Sequence, residues 1–535
     1  MLPFLKKNKG SIGVIVLVSM VSLIVNIFIS YYTGSFIDCV SLQHSVPFLY
    51  RYMAVFGLLV VTDVLVKRFF LVYKAKVEEQ AKFDIYREYI EHLNLIAIER
   101  FEKFNPTYLN QRLNTDIGAV CGFAFETLLD SVFSILKIGI ILVIMVSFSW
   151  KAAAASVAMI VAYAIVFKVF VEPIKENNYQ LKESSASYFQ ACNEQLTLYK
   201  EIRITSNYES SITHIRQKFS QYFKIMMGYV KVSVRYLITL EVVSMSFLIL
   251  ILFICGKGII EGTMTVGTLF ILNSYYTMLS GAIDNVCNAF KGYQETLNSV
   301  TRMEEFLDIP EEENGEEVIA SVERISLEDV GFAYENEYGF RLFDHLNLTF
   351  EKGKTYSILG NNGTGKTSLI YVMLALYRSN LSGTISINDK KETQVDVMHF
   401  RKNLVSVCMQ NEKLPDMTVE EYLRFYGIED MEKVYGLIRH YGMETMYDSD
   451  TFHIKEYLSR NIRKLSGGEK QKVFFLRALA KEADVLVLDE INSNLDRESI
   501  GLLCEFITKL KEDKIILIIS HNKKIVEVSD VKIQL

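Results

Sequence analysis

Residues 360–367 read Gly-Asn-Asn-Gly-Thr-Gly-Lys-Thr and match the phosphate-binding motif G-x-x-x-x-G-K-[ST] without a mismatch. The apolar residues 356–359 before it are typical of a buried strand, and residues 368–376 continue with a helical pattern. Glycines allow backbone N–H groups to surround a phosphate, and the start of a helix adds a partial positive charge. A glycine-rich turn without a ligand is the alternative, but the strand, loop and helix together favour a nucleotide site.

Within this stretch the side chains have distinct predicted tasks. Lys366 is expected to reach the β- and γ-phosphates, and the Thr367 hydroxyl is expected to ligate Mg²⁺. The predicted nucleotide-binding residues here are Gly360, Asn361, Asn362, Gly363, Thr364, Gly365, Lys366, Thr367 and Ser368.

The size and composition of the chain predict a membrane protein of more than one domain. It has 535 residues, 50% of them hydrophobic, and a positive mean hydropathy. The formal net charge of −6 gives no global basic field, so binding of nucleic acid is not expected. The seven cysteines are dispersed without a C-x-x-C pair, which predicts neither a metal site nor a disulfide framework.

Six apolar stretches are long enough to cross a bilayer, and they lie near residues 11–31, 50–72, 127–149, 152–171, 237–256 and 266–286. Lys and Arg are frequent before the first stretch and in segments 74–126 and 175–235, whereas the other connections carry almost none. The positive-inside rule therefore places the N-terminus and both long segments in the cytoplasm. Spanning helices 2 to 5 are expected to extend well beyond the membrane.

Several ionisable residues fall inside these predicted spans, where such groups usually face a bundle interior or a wet cavity. Asp63 and Lys137 lie near mid-span and are the best candidates for lining a cavity. Lys67 and Lys168 lie nearer the cytoplasmic ends, where snorkelling to the interface is the simpler expectation.

After a charged stretch at 310–317, the last part of the chain alternates apolar strands with helical segments, as an α/β nucleotide domain does. Predicted strands include 325–334, 356–359, 485–488 and 515–519. Strand 485–488 ends in Asp489 and Glu490, which matches a Walker B element. Asp489 would hold Mg²⁺ and Glu490 would activate the attacking water as a general base.

Upstream of that strand, residues 465–469 read Leu-Ser-Gly-Gly-Glu and resemble the signature L-S-G-G-[QE] of ATP-binding cassette (ABC) proteins. The resemblance implies further roles in chain order. Tyr334 resembles the aromatic residue that stacks on adenine, Gln410 the glutamine that reaches nucleotide and metal, residues 493–496 the D-loop, and His521 the switch histidine that contacts the γ-phosphate. It also assigns nucleotide contacts to Ser466, Gly467, Gly468 and Glu469.

Over its whole length the chain resembles an ABC exporter half-transporter. The resemblance implies a six-span α-helical transmembrane domain at 1–309, an acidic linker at 310–320 and a P-loop α/β ATPase domain with a helical subdomain at 321–535. In that family the signature of one cassette closes over ATP held by another. Because this chain carries one of each, a homodimer with two competent ATP sites is expected, with ATP and Mg²⁺ as cofactors. Glu490, His521 and Lys366 are the implied catalytic residues.

The resemblance also implies the cellular setting and the mode of action. Residues 101–116 and 201–209 resemble the two coupling regions, and the membrane is expected to be a bacterial plasma membrane with the cassette in the cytoplasm. ATP-driven export by alternating access follows, and a small secreted peptide is the favoured cargo. A lipid flippase, a multidrug exporter and a nucleotide-gated channel or membrane regulator stay open as alternatives. Two features depart from the family pattern: Thr107 stands where Gly is usual, and residues 451–464 lack the usual acidic, Gly-containing segment.

Overall fold

A computed structural model describes residues 9–42, 46–102, 104, 106–334, 341–361, 363–409, 412–440, 454–490 and 497–535. They form two compact units. The first contains the described residues of Met1–Glu91 together with Pro106–Asp308. The second contains Ile309–Leu535 and also His92–Asn105, a segment that the chain reaches early.

The first unit consists of long helices. In chain order they are α1 (Lys9–Leu42), α2 (Val46–Leu93), α4 (Pro106–Gly122), α5 (Leu129–Phe148), α6 (Trp150–Thr197), α7 (Tyr199–Thr205), α8 (Tyr208–Ile260) and α9 (Val266–Leu307), with a π-helical turn at Phe123–Leu128. Helix α3 (Ile98–Phe101) belongs to the second unit.

Four segments of the described chain are long and apolar enough to span a membrane: Gly10–Ser41, Leu113–Phe148, Trp150–Thr197 and Tyr208–Ile260. The other two predicted spans lie in α2 and α9, so the count of six stays a prediction. Large apolar side chains such as Leu58, Val143 and Phe253 are exposed on these helices, as expected for a surface that faces lipid. Residues 290–306 form the continuous end of α9.

Polar contacts hold the ends of these helices. The Asp116 carboxylate, which is 2% exposed, accepts hydrogen bonds from the guanidinium of Arg302 and joins α4 to α9. Ser149 caps α6 by accepting the backbone N–H of Ala152. Such pairing satisfies polar groups that would otherwise be costly to bury.

The second unit is built around two sheets. Its strands are β1 (Arg324–Ala333), β2 (Arg341–Glu351), β3 (Thr355–Leu359), β4 (Leu381–Ile387), β5 (Lys390–Lys391), β6 (Val405–Cys408), β7 (Val485–Asp489), β8 (Ile515–Ile519) and β9 (Val531–Gln534). One sheet has the order β2-β1-β4-β5 and is antiparallel. The other is parallel with the order β6-β7-β8-β3-β9.

Helices complete this unit. They are α10 (Lys366–Met373), α11 (Val397–His399), α12 (Val419–Phe425), α13 (Met431–His440), α14 (Ile454–Leu458), α15 (Gly467–Ala480), α16 (Arg497–Leu510) and α17 (Lys523–Glu527). A π-helical turn at Phe400–Leu404 and 3₁₀ turns at Ile462–Lys464 and Lys511–Asp513 connect them.

The parallel sheet separates two hydrophobic cores because alternate residues of each strand point to opposite faces. Leu486 and Leu488 of β7 pack with α12 and α15 on one face. Val485 and Val487 pack with α10 and the antiparallel sheet on the other. Both faces are therefore covered, as is usual for a parallel sheet.

The acidic stretch predicted to be a linker is hydrogen-bonded within the second unit. The backbone N–H of Glu312 donates to the carbonyl of Leu95 at 2.7 Å, and its carboxylate pairs with the guanidinium of Arg401 at 2.5 Å. The Asn314 amide donates to Asp396 at 2.8 Å. This part of the chain therefore adds contacts to the cassette.

Candidate functional site

The carboxyl ends of three neighbouring strands bring the predicted catalytic elements to one edge of the parallel sheet. Ile519 of β8 pairs with Ile358 of β3 on one side and with Asp489 of β7 on the other. The chain continues from these strand ends into the phosphate loop, into Glu490 and into His521. This edge is where open α/β sheets usually bind their ligands.

The phosphate loop has a backbone shape that requires glycine. Gly363 and Gly365 have φ values of +87° and +93°, in the left-handed region that other residues rarely adopt. A β-carbon on Gly365 would also lie 2.5 Å from Cδ2 of Leu342. Helix α10 starts at Lys366, so its N-terminal N–H groups adjoin the loop. Asn362 lies outside the described residues.

Lys366 lies across the loop. Its ammonium donates to the carbonyl oxygens of Gly360 at 2.9 Å and Asn361 at 3.0 Å, and the residue is only 8% exposed. The Thr364 hydroxyl also donates to the carbonyl of Asn361, at 3.0 Å. These bonds hold the loop and its lysine in a defined shape.

Thr367 and Asp489 lie together beside the loop. The Thr367 hydroxyl donates to Oδ2 of Asp489 at 3.1 Å, and Asp489 is 4% exposed. Burial raises the pKa of Asp489 and the nearby Glu490 carboxylate acts in the same direction, while the Thr367 hydroxyl and Lys366 act against them. A buried carboxylate next to a hydroxyl offers the hard oxygen ligands that Mg²⁺ prefers, so these two residues fit that ion. Gln410, the third predicted metal residue, lies outside the described residues.

The predicted base and switch histidine are also close to each other. Nε2 of His521 lies 3.9 Å from Oε1 of Glu490. Glu490 has a φ of +50°, and its backbone N–H donates to the carbonyl of Ile519 at 2.9 Å. The β7–β8 pairing thus holds the base in a backbone conformation that is uncommon for residues other than glycine.

Tyr334 belongs to an aromatic group beside the loop. Its hydroxyl lies 2.6 Å from the Ser368 hydroxyl, and its ring meets the ring of Tyr377 edge-on at 5.8 Å. Tyr334 is 40% exposed, so part of its ring surface is available for stacking on an adenine ring. Residues 493–496, predicted to form the D-loop, lie outside the described residues.

Ser466 and Glu469 form the N-terminal cap of α15. The Ser466 side chain accepts the backbone N–H of Glu469 at 3.3 Å, and the Glu469 carboxylate accepts the N–H of Ser466 at 2.7 Å. This reciprocal capping box lowers the pKa of Glu469. Gly467, the first residue of the helix, is exposed and Gly468 is partly exposed. The predicted signature is therefore a capped helix N-terminus, whose partial positive charge suits an anionic partner.

No sequence motif predicts two of the contacts within the second unit. The Tyr377 hydroxyl donates to the Glu102 carboxylate at 2.8 Å, and the Ser379 N–H donates to Glu99 at 3.0 Å, so segment His92–Asn105 reaches the aromatic group. Burial and the Glu102 carboxylate raise the pKa of Tyr377. Residues 106–116, also predicted to be part of the first coupling region, lie in α4.

The second contact is a buried ion pair on α15. The Arg477 guanidinium donates to both oxygens of Glu412 at 2.7 Å and also to the Tyr422 hydroxyl and the carbonyl of Val407. Arg477 thereby ties the signature helix to the end of β6 and to α12. No sequence pattern reveals this ion pair, because its partners are far apart along the chain.

Comparison with known proteins agrees with this geometry. Residues 12–283 match the family of the ABC transporter transmembrane region, and residues 343–493 match the ABC transporter family. A lactococcin-A transport/processing ATP-binding protein of Lactococcus lactis subsp. lactis is 21% identical over 99% of this chain and 73% of its own. An ATP-dependent lipid A-core flippase of Bordetella avium is 23% identical over 89% of this chain and 81% of its own.

The fold agrees with a solved structure as well. A bacterial Atm1-family ABC exporter with ATP bound aligns with a TM-score of 0.80 and 16% identity, over 99% of this chain and 93% of its own. The chain is an integral membrane protein and an ATPase that uses ATP for export. An ABC transporter transmembrane region followed by an ATP-binding cassette makes it a member of the ABC transporter family.

Proposed function

We propose that two copies of this chain form a homodimer that exports a small secreted peptide across a bacterial plasma membrane at the expense of ATP. The single observation that carries the proposal is the shared edge of β3, β7 and β8, where Thr367, Asp489 and the Glu490–His521 pair adjoin one phosphate loop. The N-terminus and the cassette would lie in the cytoplasm, where ATP is available.

The site residues would divide the reaction between them. The phosphate loop and Lys366 would hold the phosphates, with Tyr334 against adenine. Thr367, Asp489 and Gln410 would hold Mg²⁺, which neutralises charge on the phosphates when bound. Glu490 would take the proton of the attacking water, and His521, at 3.9 Å from it, would position the γ-phosphate.

The set of nucleotide-binding motifs in a single chain supports the homodimer. The chain has one phosphate loop and one signature, and Ser466 with Gly468 starts a helix that favours a γ-phosphate supplied by a second copy. Both hydrolytic residues, Glu490 and His521, are present, so two identical chains would build two competent sites.

A peptide cargo is favoured by the lactococcin-A transport relative, which aligns with 99% of this chain. A lipid flippase is the second candidate, because the Bordetella relative carries that name. A multidrug exporter and a nucleotide-gated channel or membrane regulator are further alternatives.

The test uses the full-length protein reconstituted into sealed vesicles with the cassette outside. Fluorescently labelled peptides encoded next to this gene are supplied with ATP, and accumulation inside the vesicles is measured together with phosphate release. We expect one peptide to accumulate and to stimulate ATP hydrolysis, and the Glu490→Gln variant to do neither. Lipid translocation without peptide uptake would favour the flippase, whereas ion currents without hydrolysis would favour the channel.

A further inference from the structure

The first unit contains a cavity of about 500 Å³ between its apolar helices. It is lined from α1, α2, α5 and α9, mostly by apolar atoms, and the polar side chains in its lining include Asn26, Lys67, Asp130, Ser134, Lys137 and Asn285. Polar groups within membrane-spanning segments are energetically unfavourable unless they are paired with one another or serve a function such as ligand binding. Of the two candidates from the sequence, Lys137 lines the cavity and Asp63 is not among its lining residues. Lys67, which was expected to reach the membrane interface instead, lines it as well.

Ion pairs neutralise most of the charge around this cavity. The ammonium of Lys67 lies 2.6 Å from Oδ2 of Asp63, one helical turn away, and Asp63 also accepts the Asn26 amide at 2.9 Å. Asp130 lies 3.5 Å from the ammonium of Lys74. Each carboxylate at the cavity therefore has a lysine of its own.

Lys137 differs from these groups. It lies in the middle of α5, and within the described part of the chain no carboxylate comes within ion-pair distance of its ammonium. The cavity thus carries one uncompensated positive charge. Beside it, the Asn285 amide donates one hydrogen bond, to the Ser134 hydroxyl at 3.3 Å, and keeps a second N–H for a ligand.

We infer that Lys137, with Asn285, forms a subsite for a compact anionic group of the cargo. A carboxylate or a phosphate brought into the cavity would supply the missing counter-charge and accept the amide N–H. A charge-assisted hydrogen bond of this kind is stronger in a low-dielectric cavity than in water. The assignment of this anion to a cargo rests on the proposed export function. The C-terminal carboxylate of the proposed peptide is an anionic group of this kind.

The test measures binding of an N-acetylated, fluorescent hydrophobic tetrapeptide that carries either a free C-terminal carboxylate or a C-terminal amide. The full-length protein is held in nucleotide-free phosphatidylcholine nanodiscs. We expect the acid to bind about tenfold more tightly than the amide, which corresponds to about 1.4 kcal/mol. The Lys137→Met variant is expected to bind both forms equally, and Lys137→Arg to keep the preference.

Lys168→Met provides the matched control. Lys168 is exposed, lies on α6 in the predicted span 152–171 and does not line the cavity, so its loss should leave the tenfold preference intact. Elution volume and melting temperature identify any variant that fails to fold. If Lys137→Met is such a variant, Lys137→Gln, which also removes the charge and is expected to lose the preference, takes its place.

Three results would overturn the subsite: no preference for the anionic form in either the peptide arm or the lipid arm described next, a preference that survives in Lys137→Met, or a preference lost equally in Lys168→Met. A second arm compares lysophosphatidylglycerol with lysophosphatidylcholine. A Lys137-dependent preference in that arm alone identifies the anion as a lipid phosphate. Lys137-dependent binding without ATP-driven uptake in sealed vesicles would keep the subsite and refute the exporter.

Discussion

At the scale of single residues, Glu490 combines a strained backbone with a chemical role. Its φ of +50° costs about 1–2 kcal/mol for a residue with a side chain, and the β8 hydrogen bond to Ile519 maintains it. Strain of this kind persists where the surrounding structure over-determines it, often at functional sites.

We expect Glu490→Gln to bind ATP normally but to hydrolyse it at least about 100-fold more slowly, because an amide cannot accept the proton of water. Binding is measured with a fluorescent ATP analogue and hydrolysis by phosphate release. Glu482→Gln is the matched control, since Glu482 also has a positive φ of +51° but is exposed and paired with Lys433. Normal hydrolysis in Glu490→Gln would refute the assignment.

The buried Asp489 carboxylate destabilises the ligand-free protein through its desolvation, and the proposed metal would offset this effect. Because its carboxylate is desolvated, Asp489→Asn should raise the stability of the ligand-free cassette by on the order of 1 kcal/mol, or roughly 2–4 °C in Tm. The same variant should lose the gain in Tm that native protein shows with Mg²⁺ and ATP. A Tm that falls without ligand would contradict this expectation.

The direction of the pKa shift adds a pH dependence to the same experiment. The pKa of Asp489 is raised, so the folded state binds this proton more tightly than the unfolded state. The ionised Asp489 carboxylate therefore lowers the free energy of unfolding of the native protein at neutral pH. This loss of stability becomes smaller as the pH falls towards the ordinary pKa of an aspartate. The advantage of Asp489→Asn should shrink in the same direction.

At the scale of elements, helix α15 joins the signature to the rest of the cassette. Its first turn is held by the Ser466–Glu469 capping box, and its last turn by the Arg477–Glu412 pair. The side chains of that pair are 8% and 13% exposed, so neither charge is well hydrated if its partner is lost.

We expect Arg477→Met to lower the stability of the cassette by roughly 3 kcal/mol or more, because it leaves the Glu412 carboxylate buried and unpaired. The double variant Arg477→Met with Glu412→Leu should recover part of that loss, and with the Glu412→Leu single variant it completes a cycle that measures the interaction energy of the pair. All three are compared with native protein by thermal unfolding in detergent. A single variant that costs less than about 1 kcal/mol would show that the pair is hydrated.

At the scale of the whole molecule, the decisive property is that one polypeptide carries one phosphate loop and one signature. If the two act on the same ATP from different chains, defects in them should complement each other. Lys366→Ala and Ser466→Arg should each inactivate a homodimer, the first by weakening nucleotide binding and the second by blocking the start of α15.

A mixed dimer of these two variants would contain one doubly defective site and one intact site. We expect differently tagged, co-purified mixed dimers to regain ATP hydrolysis well above either parent, up to half the native rate. Homodimers of each variant, purified in parallel, provide the baseline. Mixed dimers as inactive as both parents would refute the shared-site arrangement.

Much of the cassette could be predicted because its signals are local. A short apolar strand, a glycine-rich loop and a strand that ends in two acids are each contiguous in the sequence, and β3, β7 and β8 lie within one residue of their predicted bounds. The roles of the site residues stay predictions, and Asn362, Gln410 and residues 493–496 also lie outside the described residues. The same holds for the six-span count, which the apolar composition alone supports.

Local sequence patterns establish the order of the motifs and the apolar character of the first unit, since both depend on neighbours a few residues apart. Which charged and polar groups pair with one another is set by the tertiary structure alone. Lys74 meets Asp130, Glu412 meets Arg477 and Glu102 meets Tyr377 across separations that no pattern encodes, because folding brings distant segments together. Lys137 becomes informative for the same reason: the other charges around it find partners.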